Sequence, residues 1–188
     1  MRYAIVTTET SGLFDYSKPA DSPGQPRLAA FGYQEFVDGE LDTTYFCYIQ
    51  PQGWSMQSGA TAVNGLTTDW LEANGLDVEH ALAEYTGLLE RGCTLVGYAV
   101  DFDCKVMRGE LRRAGMLDKY EKTEIVSMIR VARDVCQIPR YPTTTGAYRF
   151  PKLHEACGHF GVPWKPQMSI QEKLNTLHAL FVALKIEE

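Results

Sequence analysis

The most constraining pattern in the chain lies between residues 28 and 49. Two β-rich segments, Leu28 to Val37 and Leu41 to Ile49, flank a two-residue Asp38-Gly39 turn. Asp and Gly tolerate the positive φ angles of a tight antiparallel connection, so the pattern predicts a hairpin. An apolar, β-branched run at residues 3 to 9 precedes it and ends at Gly12, and residues 15 to 26 collect Asp, Ser, Pro and Gly as a loop. Three strands this close in sequence can meander, and a meander forms one edge of a sheet.

After Gly59 the period lengthens. Thr67 to Leu71 opens a short helix, and Val78 to Leu89 places Ala81, Leu82, Tyr85 and Leu88 at helical spacing before Gly92 stops it. Thr94 to Gly97 suits a buried strand. Asp101 to Ala114 reads as a helix with Lys105, Arg108, Arg112 and Arg113 on its solvated side. Glu124 to Ser127 is expected as the last strand and Met128 to Val135 as a helix. Residues 138 to 150 read as a loop. Pro151 is expected to open a helix that stops near Gly161, and Ile170 to Ile186 to form the final helix on a Leu174, Leu177, Phe181 and Leu184 stripe. This order predicts an α/β layer fold, a mixed five-stranded sheet with an antiparallel meander edge and helices on both faces. The 188 residues are expected to form a single domain, 1–188.

Eighteen Lys and Arg against 24 Asp and Glu give a net charge of −6. That argues against a protein that coats duplex DNA by neutralising phosphates, although a local groove can still hold nucleic acid. No apolar run approaches the roughly 18 residues of a membrane span, and the first residues lack a signal-peptide layout. Cys47, Cys93, Cys104, Cys136 and Cys157 are scattered and never form C-x-x-C, which fits reduced thiols better than disulfides or zinc. The expectation is a cytoplasmic chain with no membrane contact.

Two segments carry residues suited to chemistry. Glu9 closes the first strand and is followed by Thr10, Ser11, Gly12 and Leu13, an acid beside backbone N–H groups that suits a metal-bound phosphate. Asp103 stands at a helix start after a buried strand, where the helix dipole favours its ionised form. Capping by Asp101 or Asp103 accounts for the same residues without any chemistry.

Taken in order, the segments resemble the DnaQ-like (DEDDh, RNase H-like) 3′–5′ exonucleases, especially the short stand-alone members of bacteria and their phages. Thr7 to Leu13 resembles D-x-E-T-T-G-L; Ala62 to Thr67 resembles the V-H-G-I-T loop; Tyr98 to Asp103 falls on H-N-x-x-F-D; Pro151 to Gly161 resembles the helix before the last motif; and Ile170 to Leu177 falls on A-H-x-A-L-x-D-A. The resemblance covers nearly the whole chain. It implies a site of four carboxylates and a general-base His around two divalent ions about 4 Å apart.

The departures from that pattern decide the expected activity. On this alignment the metal-bridging Asp is Thr7, the general base is Gln171 and the final Asp is Thr176, while Glu9 and Asp103 keep their carboxylates and the loop His is Asn64. Two dications about 4 Å apart repel by roughly 17 kcal/mol at an effective dielectric near 20. Two carboxylates supply half the compensating protein charge, and a Gln accepts no proton at neutral pH. The expectation is therefore no cofactor, or at most one weakly held Mg or Mn at Glu9 and Asp103. Thr7 and Thr176 are expected to hydrogen-bond Glu9 in place of ions. Asp101, Glu172 and His178 are the nearest substitutes for a relocated site.

Three functions compete. The first is a catalytically inactive pseudo-exonuclease whose Thr10 to Leu13 backbone, Asn64 and Phe102 still bind a nucleotide or a single strand. The second is a protein-interaction module, for example a phage factor acting on a host or replication protein, with Trp54, Trp70 and Trp164 as candidate contacts. The third is an active exonuclease with an atypical metal site.

Overall fold

Tyr3, Ala4, Ile5 and Val6 are all buried, and a strand buried on both faces belongs in the middle of a sheet covered on each side. The computed structural model, which describes residues 1–118, 122–140 and 148–186, shows that arrangement. Strand β1 (Arg2–Thr10) pairs antiparallel with β2 (Leu28–Val37), which pairs antiparallel with β3 (Glu40–Tyr48). On its other side β1 runs parallel to β4 (Thr94–Gly97), and β4 to β5 (Ile125–Ser127), giving the order β3-β2-β1-β4-β5. Asp38 and Gly39 take φ of 50° and 84°, the left-handed values that the predicted turn requires.

Seven helices complete the described chain: α1 (Ser58–Asn64), α2 (Thr68–Asn74), α3 (Val78–Glu90), α4 (Val100–Arg113), α5 (Met128–Cys136), α6 (Leu153–Phe160) and α7 (Ile170–Ala183). Alternation along β1 divides the core in two. Ala4 and Val6 pack in a cluster with Leu82, Tyr85 and Leu88 of α3 and with Met107 of α4. Tyr3 and Ile5 pack in another with Met128 of α5, Cys157 of α6 and Leu174 of α7. The mixed five-stranded sheet with helices on both faces is thus the architecture of the chain.

Gly32 fixes how closely α7 approaches the sheet. It is the cross-strand partner of Thr7, and a Cβ there would lie 2.4 Å from Ile170 Cγ2. The first turn of α7 therefore rests directly on β2 beside the C-terminal half of β1.

Several local expectations are corrected. Helix α1 was not foreseen. Pro151 stands outside α6, because Lys152 takes the cap position and its N–H donates to Glu155 at 2.7 Å. Helix α7 stops at Ala183, and Lys185 turns left-handed with φ 49°. The α4 cations are not all solvated: Arg113, with Arg27, is engaged by Glu110, which is 1% exposed and also accepts from the Leu28 N–H at 3.1 Å. Residues 141 to 147 of the predicted 138–150 loop lie outside the described residues, while Pro139 and Tyr148 form an isolated bridge.

Candidate functional site

Glu9 lies at the end of the central strand, one residue before a bulge in the β1–β2 ladder. Thr8 points to the opposite face, and Asp103, in the first turn of α4, reaches it there. One Asp103 oxygen accepts from the Thr8 N–H at 2.8 Å and from the Thr8 hydroxyl at 2.7 Å. Burial pushes the Asp103 carboxyl up to about 6, against the pull of Lys173 and the two Thr8 hydrogen bonds.

The partner of Glu9 is a lysine. Lys173 Nζ, from the second turn of α7, lies 2.6 Å from Glu9 Oε1 and 3.3 Å from the Thr8 carbonyl oxygen. Burial works against the ammonium charge, but Glu9 and Asp103 outweigh it and hold its pKa above the ordinary value. A cation near a helix N-terminus opposes the helix dipole, so these two acids do the stabilising. Sequence analysis missed Lys173, although a signal was present. Ile170, Lys173, Leu174 and Leu177 follow one buried face at i, i+3, i+4 and i+7, and Lys173 is the one charged residue among them.

The other expected positions fall elsewhere. Thr7 is buried on β1. Thr176 does not reach Glu9: its hydroxyl donates to the Pro163 carbonyl and to Met168 Sδ, at 3.3 and 3.4 Å, one helical turn beyond Lys173. Gln171 is exposed. The three candidate substitutes are committed to other contacts. Asp101 pairs with Arg130, Glu172 with Lys165 and the α7 cap residue Ser169, and His178 packs on Phe36 with ring centroids 4.6 Å apart.

The loop after β1 is tied down by backbone and side chains. The Ser11 N–H donates to the Arg27 carbonyl, so that donor is spent within the protein rather than offered to a phosphate. The Thr10 hydroxyl donates to the Gly12 carbonyl, and Asn64 bridges from the Thr10 carbonyl to the Leu66 N–H. A Cβ on Gly12 would meet the Gln57 side chain at 2.5 Å. Leu13 is 92% exposed at the lip, whereas Phe102 is half-buried and packs edge-on against Phe14. Trp54 packs on the core, Trp70 sits against Tyr48, and Trp164 against His154.

Cavities open on either side of Glu9. One of about 340 Å³ is lined by Glu9, Tyr48, Asn64, Trp70 and Glu172 among others. The second, about 380 Å³, is lined by Glu9, Val63, Leu153, Trp164, Lys165 and Lys173 among others. The donor set between them does not fit a pair of dications. One carboxylate holds an ammonium, the other holds Thr8, and among the described residues no three His, Cys, Asp or Glu side chains converge as metal ligands. Nor is any described helix long and apolar enough to cross a membrane.

No protein-family model matches this sequence, and no curated protein does. Solved structures do match its fold. A structure of exonuclease I whose report addresses processivity aligns with TM-score 0.76 and 17% identity, covering 100% of this chain and 41% of that one. Escherichia coli exonuclease I in complex with a dT13 oligonucleotide aligns with TM-score 0.75 and 18% identity over 98% of this chain and 41% of that one. A zinc-bound form of the E. coli enzyme with single-stranded DNA aligns with TM-score 0.74 and 18% identity over 97% and 40%. The chain thus shares the fold of exonuclease I and spans about two fifths of its length.

Proposed function

We propose that this chain is a non-hydrolytic relative of the DnaQ-like exonucleases that binds a single nucleic-acid strand in the Glu9 cleft without a divalent ion. The observation that carries the reading is the 2.6 Å contact of Lys173 with Glu9. The ammonium supplies, from within the chain, the positive charge that a metal ion supplies in an active site of this kind.

The contact favours a different alignment of the last motif. With Lys173 as the counterpart of the final Asp, the His five residues earlier falls on Met168 rather than Gln171. Both are neutral and neither abstracts a proton from water at neutral pH. Thr7, Glu9, Asp103 and Lys173 then carry a net charge of −1 when both acids are ionised, where four carboxylates carry −4. Loss of the general base alone removes about 10²–10⁴ in rate. Strand binding is supported by the shared fold, since exonuclease I has been solved with bound oligonucleotides. It is supported also by Lys173 itself: two of its three N–H bonds are directed at Glu9 and Thr8, and the third is left for a phosphate oxygen.

The test is a 5′-labelled single strand incubated with the protein in Mg²⁺, in Mn²⁺ and in EDTA. The expected result is full-length strand throughout and an anisotropy shift that survives EDTA. Shortened products that disappear in Glu9→Ala and Asp103→Ala would overturn the proposal, as would a failure to bind any strand.

A further inference from the structure

Strand β3 is one end of the sheet, and most of its outer side is unpaired. The Ile49 N–H donates inward to the Ala29 carbonyl at 2.9 Å, whereas the Tyr48 carbonyl and the Gln50 N–H face outward and pair with Leu76 at 2.8 Å each. Successive residues of an antiparallel strand direct their backbone groups to opposite sides, so Phe46 and Thr44 face outward as well. Among the described residues, none takes their N–H or carbonyl groups. The opposite edge strand, β5, is three residues long. Residues 75 to 77 begin a sixth strand beside β3 and leave it at once: Leu76 makes a single parallel bridge with Ile49, and Asp77 then caps α3. Thr44 to Tyr48 are left as an open strand position in line with Leu76.

The surface around this edge is apolar and acidic. Leu41, Phe46, Trp70 and Leu76 are exposed. Leu41 stands opposite Phe36 and Phe46 opposite Gly32, which puts both on the face that carries α7. Glu40 and Asp42 are exposed at one end of the open stretch. At the other end lie Glu72, whose carbonyl accepts from Gln50 Nε2 at 3.0 Å, and Asp77, which follows Leu76. Residues 28 to 90 contain ten Asp and Glu and no Lys or Arg. Arg2 and Arg91, which reach β2 from outside this segment, both engage Glu35. Acids beside an unpaired edge repel a second copy of this chain and a phosphate backbone alike, and they attract a cationic strand.

We infer that the outer edge of β3 binds an extended, Lys- or Arg-rich segment of a partner protein, which pairs with Thr44 and Phe46 as a sixth strand. Main-chain hydrogen bonds supply the affinity of such a complex. Apolar contacts with Leu41 and Phe46, and charge pairing with Glu40 and Asp42, select the segment. The inference makes no use of the Glu9 cleft and is independent of the strand-binding reading.

The probe is a fluorescein-labelled heptapeptide of alternating lysine and valine, blocked at both ends and titrated by fluorescence anisotropy. Two controls accompany it: the same peptide with glutamate for lysine, and a form N-methylated along its centre, which keeps the charge but lacks the backbone donors. The lysine peptide is expected to bind at least about ten-fold more tightly than either control, and to weaken as salt is added. Thr44→Pro removes an outward N–H that β2 does not use, a change that edge strands tolerate, and is expected to abolish binding. Glu40→Lys combined with Asp42→Lys is expected to weaken it by about ten-fold or more. In the parent, the peptide is expected to slow amide exchange at Thr44 and Phe46. No binding at millimolar peptide, equal binding of either control, or undiminished binding by Thr44→Pro with the parent's circular dichroism overturns the inference. So does a concentration-dependent dimer that Thr44→Pro abolishes, which assigns the edge to a second copy of the chain.

Discussion

Lys173 and Glu9 form a half-buried ion pair at the end of the central strand, with Nζ 2.6 Å from Oε1. The pair is set by packing rather than by local sequence: α7 rests its Ile170 on Gly32, and one turn later the chain brings a side chain over the end of β1. Any residue at 173 faces Glu9, and its charge decides what else the cleft can hold.

Lys173→Asp is therefore the substitution that reverses the character of the site. It replaces the ammonium by a third carboxylate facing Glu9 and Asp103, and the shorter side chain leaves a gap for an ion. The variant is expected to bind Mn²⁺ where the parent does not, measured by electron paramagnetic resonance. Without metal it is expected to lose about 3 kcal/mol of stability, since Glu9 is left facing like charge. Mn²⁺ at about 100 times its Kd should restore roughly 2.7 kcal/mol. For the parent, EDTA is expected to leave the thermal midpoint unchanged. Two tightly bound Mn²⁺ ions in the parent would defeat the argument.

Asp103 gives the fold a pH dependence of unusual sign for a carboxylate. Its native pKa is about 6, above the ordinary 3.8, so the native state holds the proton more firmly than the unfolded state. Stability then falls as pH rises from about 4 to about 6, with the full cost present above 6 and absent below 4. The difference is of order 2–3 kcal/mol. Asp103→Asn removes this titration. Urea unfolding is expected to show the variant gaining on the parent by about that amount between pH 4 and pH 7; parallel pH curves for the two proteins would refute the assignment.

The sheet was legible in the sequence because apolar, β-branched runs and the Asp38-Gly39 turn are local signals, and the hairpin strands β2 and β3 fall within a residue of expectation. Glu9 and Asp103 were legible as acids at element ends. The last helix and its Leu174, Leu177 and Phe181 stripe were legible too, but the inward turn of Lys173 was not. A motif match fixed on Gln171 and Thr176, whereas the apolar stripe Ile170, Leu174 and Leu177 carries Lys173 inward and turns Thr176 toward Pro163 and Met168. The buried face of a helix is a firmer guide to its register than a partial motif match. The capture of the Ser11 N–H by Arg27 was invisible for a different reason, since it joins residues 16 apart across an irregular loop.

Glu110, like Glu35, is a buried acid that the sequence did not single out. It is 1% exposed and accepts from Arg27, Arg113 and the Leu28 N–H, so it ties α4 to the start of β2. Glu110→Ala leaves two guanidinium groups and a backbone donor without their acceptor. The expected loss is about 3–5 kcal/mol in urea unfolding. Strand binding in EDTA by the folded fraction is expected to persist, because Glu9 and Lys173 are held by other elements.

Gly32→Ala tests whether α7 placement sets the site. The new methyl would lie 2.4 Å from Ile170 Cγ2 and 3.0 Å from Phe46 Cβ, distances that force the helix or strand to move. Overpacking of this kind costs about 1–3 kcal/mol. Because Lys173 follows Ile170 by less than one turn, the same displacement lengthens its contact with Glu9. Loss of that contact releases Lys173 from its nearest acid, so its elevated pKa is expected to fall, observable by heteronuclear NMR of the side-chain ammonium. Pairing Gly32→Ala with Ile170→Ala removes the Cγ2 methyl that the new Cβ would meet and should return the Lys173 signal toward its parent position. If Gly32→Ala destabilises the fold while the Lys173 signal stays unmoved, the ion pair is held by something other than the seat of α7 on β2.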